Sequence, residues 1–315
     1  MKKILLSVIT ILLGISVMAQ NSASLKLNLE KNKVYLLKSV SDQTVTQTVN
    51  GNQQTVESRV ENTLSLKMID VTPDFMVTEI RFDTLVTNTN SMGKAMSFSS
   101  TVEGDIKSSE VADIMSSIMN RLSKNALYVK MDFTGRPLEI VNAQMISDLV
   151  LRDTSSITLT DPTAGAIKTQ IANTVSDDNL KTMIGMFTWF LPGKVVSKGD
   201  DWSVTQQMNS GGMKLDIATA YHLDEIDGNY ANITAESTIH AVENALPIQS
   251  GGATITYDNL QGLGKSSMVI DILTGLIVED KVKTHISGDL GISGPGFSMQ
   301  MPMDINVESK TIALQ

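Results

Sequence analysis

Apolar side chains recur at every second residue over runs longer than an ordinary strand, and this spacing restricts the fold more than any other feature of the chain. From Gln53 to Asp70 the even positions Val56, Val60, Leu64, Leu66 and Met68 form one apolar face. Val71-Thr72-Pro73-Asp74 reads as a turn, after which Met76, Ile80, Phe82 and Val86 return on one face. A register centred on that turn sets Met68 opposite Met76 and Leu64 opposite Ile80. Even then meets even, whereas a one-residue slip would put the two apolar sets on opposite faces. Val34 to Asn50 has the length and alternation of another long strand, and Asn50-Gly51 is a strong hairpin signal. Residues 20–32 read as a polar opening segment, and residues 87–106 as a loop or weak edge.

In the middle of the chain the period changes from 2 to 3.6. Val111, Ile114, Met115, Ile118, Met119 and Leu122 fall on one helical stripe, started by Ser108, Ser109 and Glu110. Ala126 to Val141 reads as strand, turn, strand. Asn142 is placed to cap a short helix bearing Met145, Ile146, Leu149 and Val150. A second helical block runs from about Thr163 to Leu191. It breaks near Ser176-Asp177-Asp178, which looks like a fresh N-terminus with acids in its first turn, and Pro192-Gly193 ends it. Alternation then returns at Met213–Leu223, Ile233–Ile239, Met268–Ile272, Leu276–Ile286 and Phe297–Val307.

Strands, then helices, then strands predict an α+β fold: a large curved antiparallel sheet or incomplete β-barrel wrapped over the amphipathic helices. Residues 20–315 read as a single domain. Met131-Asp132-Phe133-Thr134-Gly135 also resembles Ile270-Asp271-Ile272-Leu273-Thr274-Gly275. That weak repeat offers an alternative division into pseudo-repeats 33–150 and 195–315, joined by a helical segment 160–191.

Residues 1–19 have the layout of a secretory signal peptide: basic Lys2 and Lys3, apolar Ile4 to Val17, and a cleavage site between Ala19 and Gln20. The expected location is the periplasm or the exterior. Loss of the leader takes the net charge from −9 to −11. An acidic surface of this kind disfavours nucleic acid and anionic headgroups as partners. The chain has no cysteine, which excludes disulfides, thiolate metal sites, a cysteine nucleophile and a lipoprotein anchor. The mature part contains no expected transmembrane segment.

No catalytic constellation stands out, and no cofactor is expected. His222 and His240 fall on the polar face of one hairpin, with His222 expected opposite Ile233 or Thr234, too far from His240 to share a metal. Neither a GxSxG elbow nor an HExxH pair is present. Gly262-Leu263-Gly264-Lys265-Ser266 lacks the first glycine of a phosphate loop. The acid pairs Asp177-Asp178 and Asp200-Asp201 read as helix capping and loop solvation.

Methionine is plentiful at 18 residues, whereas aromatic residues make up 4%. Its flexible thioether adapts to apolar ligands of varied shape. Met115 and Met119 on the first helix, Met183 and Met186 on the last, and Met299, Met301 and Met303 on the final strand are the candidate lining of one apolar cavity. The leading reading is a non-catalytic binding or carrier protein for a lipid or a lipidated chain. One alternative is an envelope protein that assembles with a partner through its strand edges. A weaker one is a Cu(I) site at Met299, Met301 and Met303, whose i, i+2, i+4 spacing points three soft ligands the same way. The same stripe continues into Phe297, Ile305 and Val307, which favours core packing.

Pro192-Gly193-Lys194-Val195-Val196 followed by Gly199-Asp200-Asp201-Trp202 resembles an uncharacterised exported family of Bacteroidota-type bacteria, a domain of unknown function. The Ala19-Gln20 junction fits that group. Asp83-Thr84-Leu85 resembles its O-glycosylation motif. The resemblance implies no catalytic residue.

Overall fold

The computed structural model describes residues 22–314 except 50, 160–162, 211, 251 and 258. The leader, the Ala19-Gln20 junction and Asn50 lie outside the described residues. The first half of the chain runs β1 (Ser22–Leu25), β2 (Val34–Val49), β3 (Asn52–Val71), β4 (Met76–Ser91), β5 (Lys94–Ser99), α1 (Val111–Ser123), β6 (Leu127–Met131), β7 (Pro137–Ile140) and α2 (Ala143–Val150). Two further helices follow, α3 (Thr163–Thr174) and α4 (Asp177–Thr188). The last part runs β8 (Lys194–Ser197), β9 (Asp201–Ser210), β10 (Met213–Asp227), β11 (Tyr230–Ala241), β12 (Ile248–Ser250), β13 (Ala253–Thr256), β14 (Gln261–Asp271), β15 (Leu276–Gly294) and β16 (Phe297–Leu314).

Fourteen strands form one antiparallel sheet whose main path is β7-β6-β4-β3-β2-β16-β15-β14-β11-β10-β9. β5 pairs with β4, and β13, itself paired with β12, continues along β15. β1 and β8 make a separate ribbon. The chain is thus mostly antiparallel β with few helices, and the sheet is open, with no closed barrel among the described residues.

The helical stripes fold as their periods dictate. α1 buries Ile114, Met115, Ile118 and Leu122, and packs on β4 and β5. Ser176 caps α4 by accepting a hydrogen bond from the Asn179 amide at 3.3 Å, satisfying one of the orphan donors of the first turn. Asn142 precedes α2 without capping it: its side chain accepts from the Tyr128 amide and donates to the Ala126 carbonyl.

Four sequence expectations are corrected. For residues 87–106 the loop alternative is corrected in favour of the edge for 87–99: β4 runs on to Ser91 and turns back at Met92-Gly93, where both residues have positive φ (50° and 76°), into β5, which pairs with β4 off the main strand path. This pair of left-handed residues matches the twist of a two-residue hairpin, and neither strand shows a clean apolar face there. The polar opening segment contains β1, and Ala23, Leu25, Leu27 and Leu29 are buried; their own alternation is the overlooked signal. The β3–β4 register is offset from the expected one. A four-residue turn, closed by Thr72 N–H donating to the Phe75 carbonyl at 2.8 Å, pairs Val71 with Met76. A bulge then skips Ile69, so Leu66 faces Ile80 and Leu64 faces Phe82, and even again meets even.

The fourth correction concerns what covers the sheet. The larger apolar cluster lies beneath the helices and includes Leu37, Leu64, Phe82, Ile118, Ile184, Tyr221 and Met268. A second cluster, at the other end of the same face, contains no helix residue. Leu215, Ile239, Ile286, Leu290, Met301, Met303 and Ile305 pack there with Tyr257 and Leu260, from the segment between β13 and β14. Curvature and a strand excursion do at that end what helices do at the first.

The opposite face of the sheet is charged in mid-strand. Ion pairs link Lys67 and Arg81 to Glu79, Arg59 to Asp42, Lys283 to Glu308, and Lys281 and Lys310 to Glu279. Hydrogen bonds from the last two lysines hold the Glu279 carboxyl at about 2. A membrane-spanning barrel has an apolar band outside and a polar lumen; this sheet has the reverse arrangement.

The repeated Asp-to-Gly turns grip one strap. Leu27 N–H donates to the Phe133 carbonyl at 2.8 Å and Asn28 N–H to the Thr274 carbonyl at 2.9 Å. Each turn is braced by its aspartate: Asp132 accepts from the Thr134 and Arg136 amides, and Asp271 from the Leu273 amide and the Thr274 hydroxyl.

Candidate functional site: a polar belt and its terminal cleft

Between the two clusters, the same face carries small or polar side chains on strand after strand. β2 runs from Leu37 through Ser39, Ser41 and Gln43 to Val45, and β3 from Leu64 through Asn62, Val60 and Ser58 to Val56. β16 contributes Thr311 and Ser309, β14 contributes Ser266 and Gly264, β11 contributes Ser237 and β10 contributes Thr219. Most of these positions are half-buried. Some hydroxyls pair across strands, Thr311 with Ser39 at 3.1 Å and Thr219 with Ser237 at 2.8 Å. The result is a belt of small hydrogen-bonding groups flanked by apolar surface on both sides.

One ionisable group is buried beside the belt. Asp280 accepts from the Ser266 hydroxyl, and burial pushes its carboxyl above the usual aspartate range. Burial, with the Asp280 carboxylate as a lesser cause, likewise raises the nearby Tyr221 phenol. Trp202 stacks on Tyr221, ring centres 5.5 Å apart, and its indole N–H donates to the Phe190 carbonyl at 2.8 Å.

On β9 the belt position is Gln206, between Val204 in the first cluster and Met208 against the second. Gln206 also lines a cleft of about 580 Å³ between β9, α4 and the β6–β7 turn. α4 stands in the gap between the ends of the main strand path: a Cβ added at Gly185 would lie 3.7 Å from both Pro137 on β7 and Gln206 on β9. Gln206 Nε2 donates to the Trp189 carbonyl at 2.8 Å, and the Thr182 hydroxyl donates to the Gln207 carbonyl at 3.3 Å. The apolar part of the lining is Pro137, Trp189 and Met208; the polar part includes Asn173, Asn179, Asn209 and the cations Arg136, Lys181 and Lys214. The Arg136 guanidinium lies 4.9 Å from the Trp189 ring centre. A volume of this size with a mixed apolar and polar lining suits a small ligand.

The methionine candidates do not converge. Met115 is in the first cluster, with Met119 and Met183 packed against it. Met301 and Met303 belong to the second, whereas Met299 is half-buried beyond them. Met186 is 63% exposed. Helical spacing and strand alternation each identify a local face but not which faces meet. Met303 Sδ accepts from Gln47 Nε2 at 3.8 Å. Pro302 lies just beyond the last β16–β2 pair, Met303 with Gln47. Sequence reasoning missed Gln206, Trp189, Arg136 and Lys214, which come together from three separate segments.

The histidines sit apart on the charged face. His222 faces Thr234, as the hairpin turn predicts, and its Nδ1 is 2.8 Å from Asp201; His285 Nε2 is 2.6 Å from Asp304. No group of three or more metal-ligating His, Asp or Glu side chains occurs among the described residues. Gly262 to Ser266 is β-strand, not a phosphate-binding loop. Thr84 is half-buried in β4 opposite Thr63.

The Gly-Asp-x-Trp segment has a clear local task. Gly199 N–H donates to the Leu223 carbonyl, Leu223 N–H donates back to the Asp200 carbonyl, and the Asp200 carboxylate caps the Ser197 amide. It locks the start of β9 beside α4 and aims Trp202 at the helix end. A family model described as a family of unknown function, DUF6263, matches residues 73–277, which span this segment. The chain belongs to that family. The DUF6263 match takes in the cleft walls from Arg136 to Lys214. No curated protein matches the sequence. Among solved structures, lipovitellin is 11% identical over 91% of this chain and 26% of its own, with a TM-score of 0.44, so the chain spans about a quarter of that protein. An outer membrane channel from Pseudomonas putida F1 is 8% identical over 91% of this chain and 97% of its own, at a TM-score of 0.24. A putative outer membrane lipoprotein-sorting protein domain from Vibrio parahaemolyticus is 8% identical over 86% and 83%, at 0.13. No helix among the described residues is long and apolar enough to cross a membrane.

Proposed function

We propose that this protein is a non-catalytic carrier for an apolar ligand that carries a polar group, a lipid or a lipidated chain, working in the cell envelope after export. The observation that carries the reading is the belt: small side chains running between two apolar clusters and ending in a cleft of about 580 Å³. A tightly packed structural core has no need of such a band, because hydroxyls inside it lose hydration for little net gain. A ligand laid along the belt would cover apolar surface with its chain and meet hydroxyls and amides with its polar group. Assembly through strand edges is less favoured, because α4 lies against both β7 and β9, the ends of the main strand path.

Native mass spectrometry of the protein purified from its own envelope tests the reading. A co-purifying lipid of defined mass is the expected result. A ligand-free chain that takes up no lipid from added vesicles would refute it.

A further inference from the structure

The cleft at the end of the belt carries an electrostatic feature that the carrier reading does not require. The whole chain has a net charge of −9, yet the cleft lining contains three cations, Arg136, Lys181 and Lys214, against one acid, Asp178. Lys181 is engaged by Asp177 on its own helix. Arg136 and Lys214 form no ion pair among the described residues, whereas most cations on the charged face of the sheet do. The Arg136 guanidinium lies over the Trp189 ring and makes no side-chain hydrogen bond among the described residues, so its N–H donors are free. The cleft also begins at the N-terminal turn of α4, where Ser176 and Asn179 line it.

We infer that this cleft binds the anionic head, a carboxylate or a phosphate, of an amphiphilic ligand. The inference rests on the carrier reading for the ligand's tail but on separate residues for its head. Arg136 offers a planar pair of donors that matches two oxygens of one anionic group. Lys214 adds a second charge from β10. Asn173, Asn179 and Asn209 supply neutral donors around them. Trp189, Pro137 and Met208 receive the first carbons of the chain, and Gln206 marks the passage to the belt. A cationic head would meet two unpaired positive groups and only Asp178.

Calorimetric titration of the full mature protein with decanoate, decanol and decylammonium, all below micelle formation, tests this. Acetate and inorganic phosphate serve as anions without a tail. Decanoate is expected to bind about 10-fold more tightly than decanol, and decylammonium most weakly. In Arg136→Gln/Lys214→Gln the decanoate-to-decanol ratio should fall to about 2-fold or less. Lys214→Gln alone, which spares the Trp189 stack, should lower the ratio part-way, with unchanged far-UV circular dichroism. Decanol binding as tightly as decanoate to the native protein would overturn the anionic head and leave the carrier reading standing. Acetate or phosphate binding as tightly as decanoate would keep the anion site and overturn the carrier reading. No binding of any probe would overturn both.

Discussion

Gly135 makes a sharp test of how the sheet is tied to the helix that fills its gap. It sits in the β6–β7 turn at φ +85°, and an added Cβ would lie 2.6 Å from the Thr188 carbonyl carbon and closer still to its oxygen. Gly199 has nearly the same backbone, φ +89°, but nothing within 4 Å of the position of a Cβ. Alanine at either site incurs the left-handed penalty of about 1–2 kcal/mol. Only Gly135→Ala must also push the turn away from the end of α4, an overpacking cost of about 1–3 kcal/mol. That displacement strains the 2.7 Å hydrogen bond from the buried Thr188 hydroxyl to the Gly135 carbonyl, a further ~1 kcal/mol. The difference between the two variants is then about 2–4 kcal/mol, or roughly 3–6 °C in melting temperature for a chain this long. Differential scanning calorimetry of both variants against the native protein measures it. Melting of Gly135→Ala within about 2 °C of Gly199→Ala would show that the turn and α4 are not in rigid contact.

Three further outcomes are expected. Thr78 is fully buried and its hydroxyl has no hydrogen-bond partner, so Thr78→Val should be neutral or stabilising by up to about 1–2 kcal/mol in urea unfolding; a loss of stability would mean the hydroxyl is satisfied. Burial raises the Asp280 carboxyl, so the folded state binds its proton more tightly than the unfolded chain. Stability should therefore fall as pH rises from the ordinary aspartate range through the raised value, and Asp280→Asn should flatten that slope between pH 4 and 8, a comparison that an unchanged slope would decide against. Thr188→Val removes the donor to the Gly135 carbonyl in a buried setting and should cost about 1–3 kcal/mol by the same urea assay, with Thr188→Ser recovering most of it.

Legibility from the sequence followed the range of the interactions involved. α1 was readable to within a residue because its stripe, Val111 to Leu122, is a local pattern. Ser176 marked the α3–α4 break because a cap acts over three residues. The hairpin reading set His222 opposite Ile233 or Thr234, and Thr234 is its partner. The β3–β4 register was not readable, because the bulge at Ile69 depends on how the turn closes. β5 stayed undecided between a loop and a weak edge because neither of its faces is cleanly apolar. The methionines illustrate the same limit: Met115 and Met301 each lie in an apolar cluster, but the two clusters are at opposite ends of the sheet, and Met186 on α4 is exposed.

The sequence by itself determined the elements, their periods, the antiparallel pairing of neighbours in the chain and the polarity of most faces, since these follow from propensities and contacts between nearby residues. Tertiary structure alone decided that β16 pairs with β2, joining the two ends of the chain at the centre of one sheet. It also decided that the sheet stays open with α4 in its gap. The belt and the cleft follow from that arrangement and from nothing local. Ser39, Ser266, Ser237 and Thr219 are unremarkable serines and threonines until long-range registry aligns them. Arg136, Trp189, Gln206 and Lys214 become one site only because two sheet ends and one helix meet.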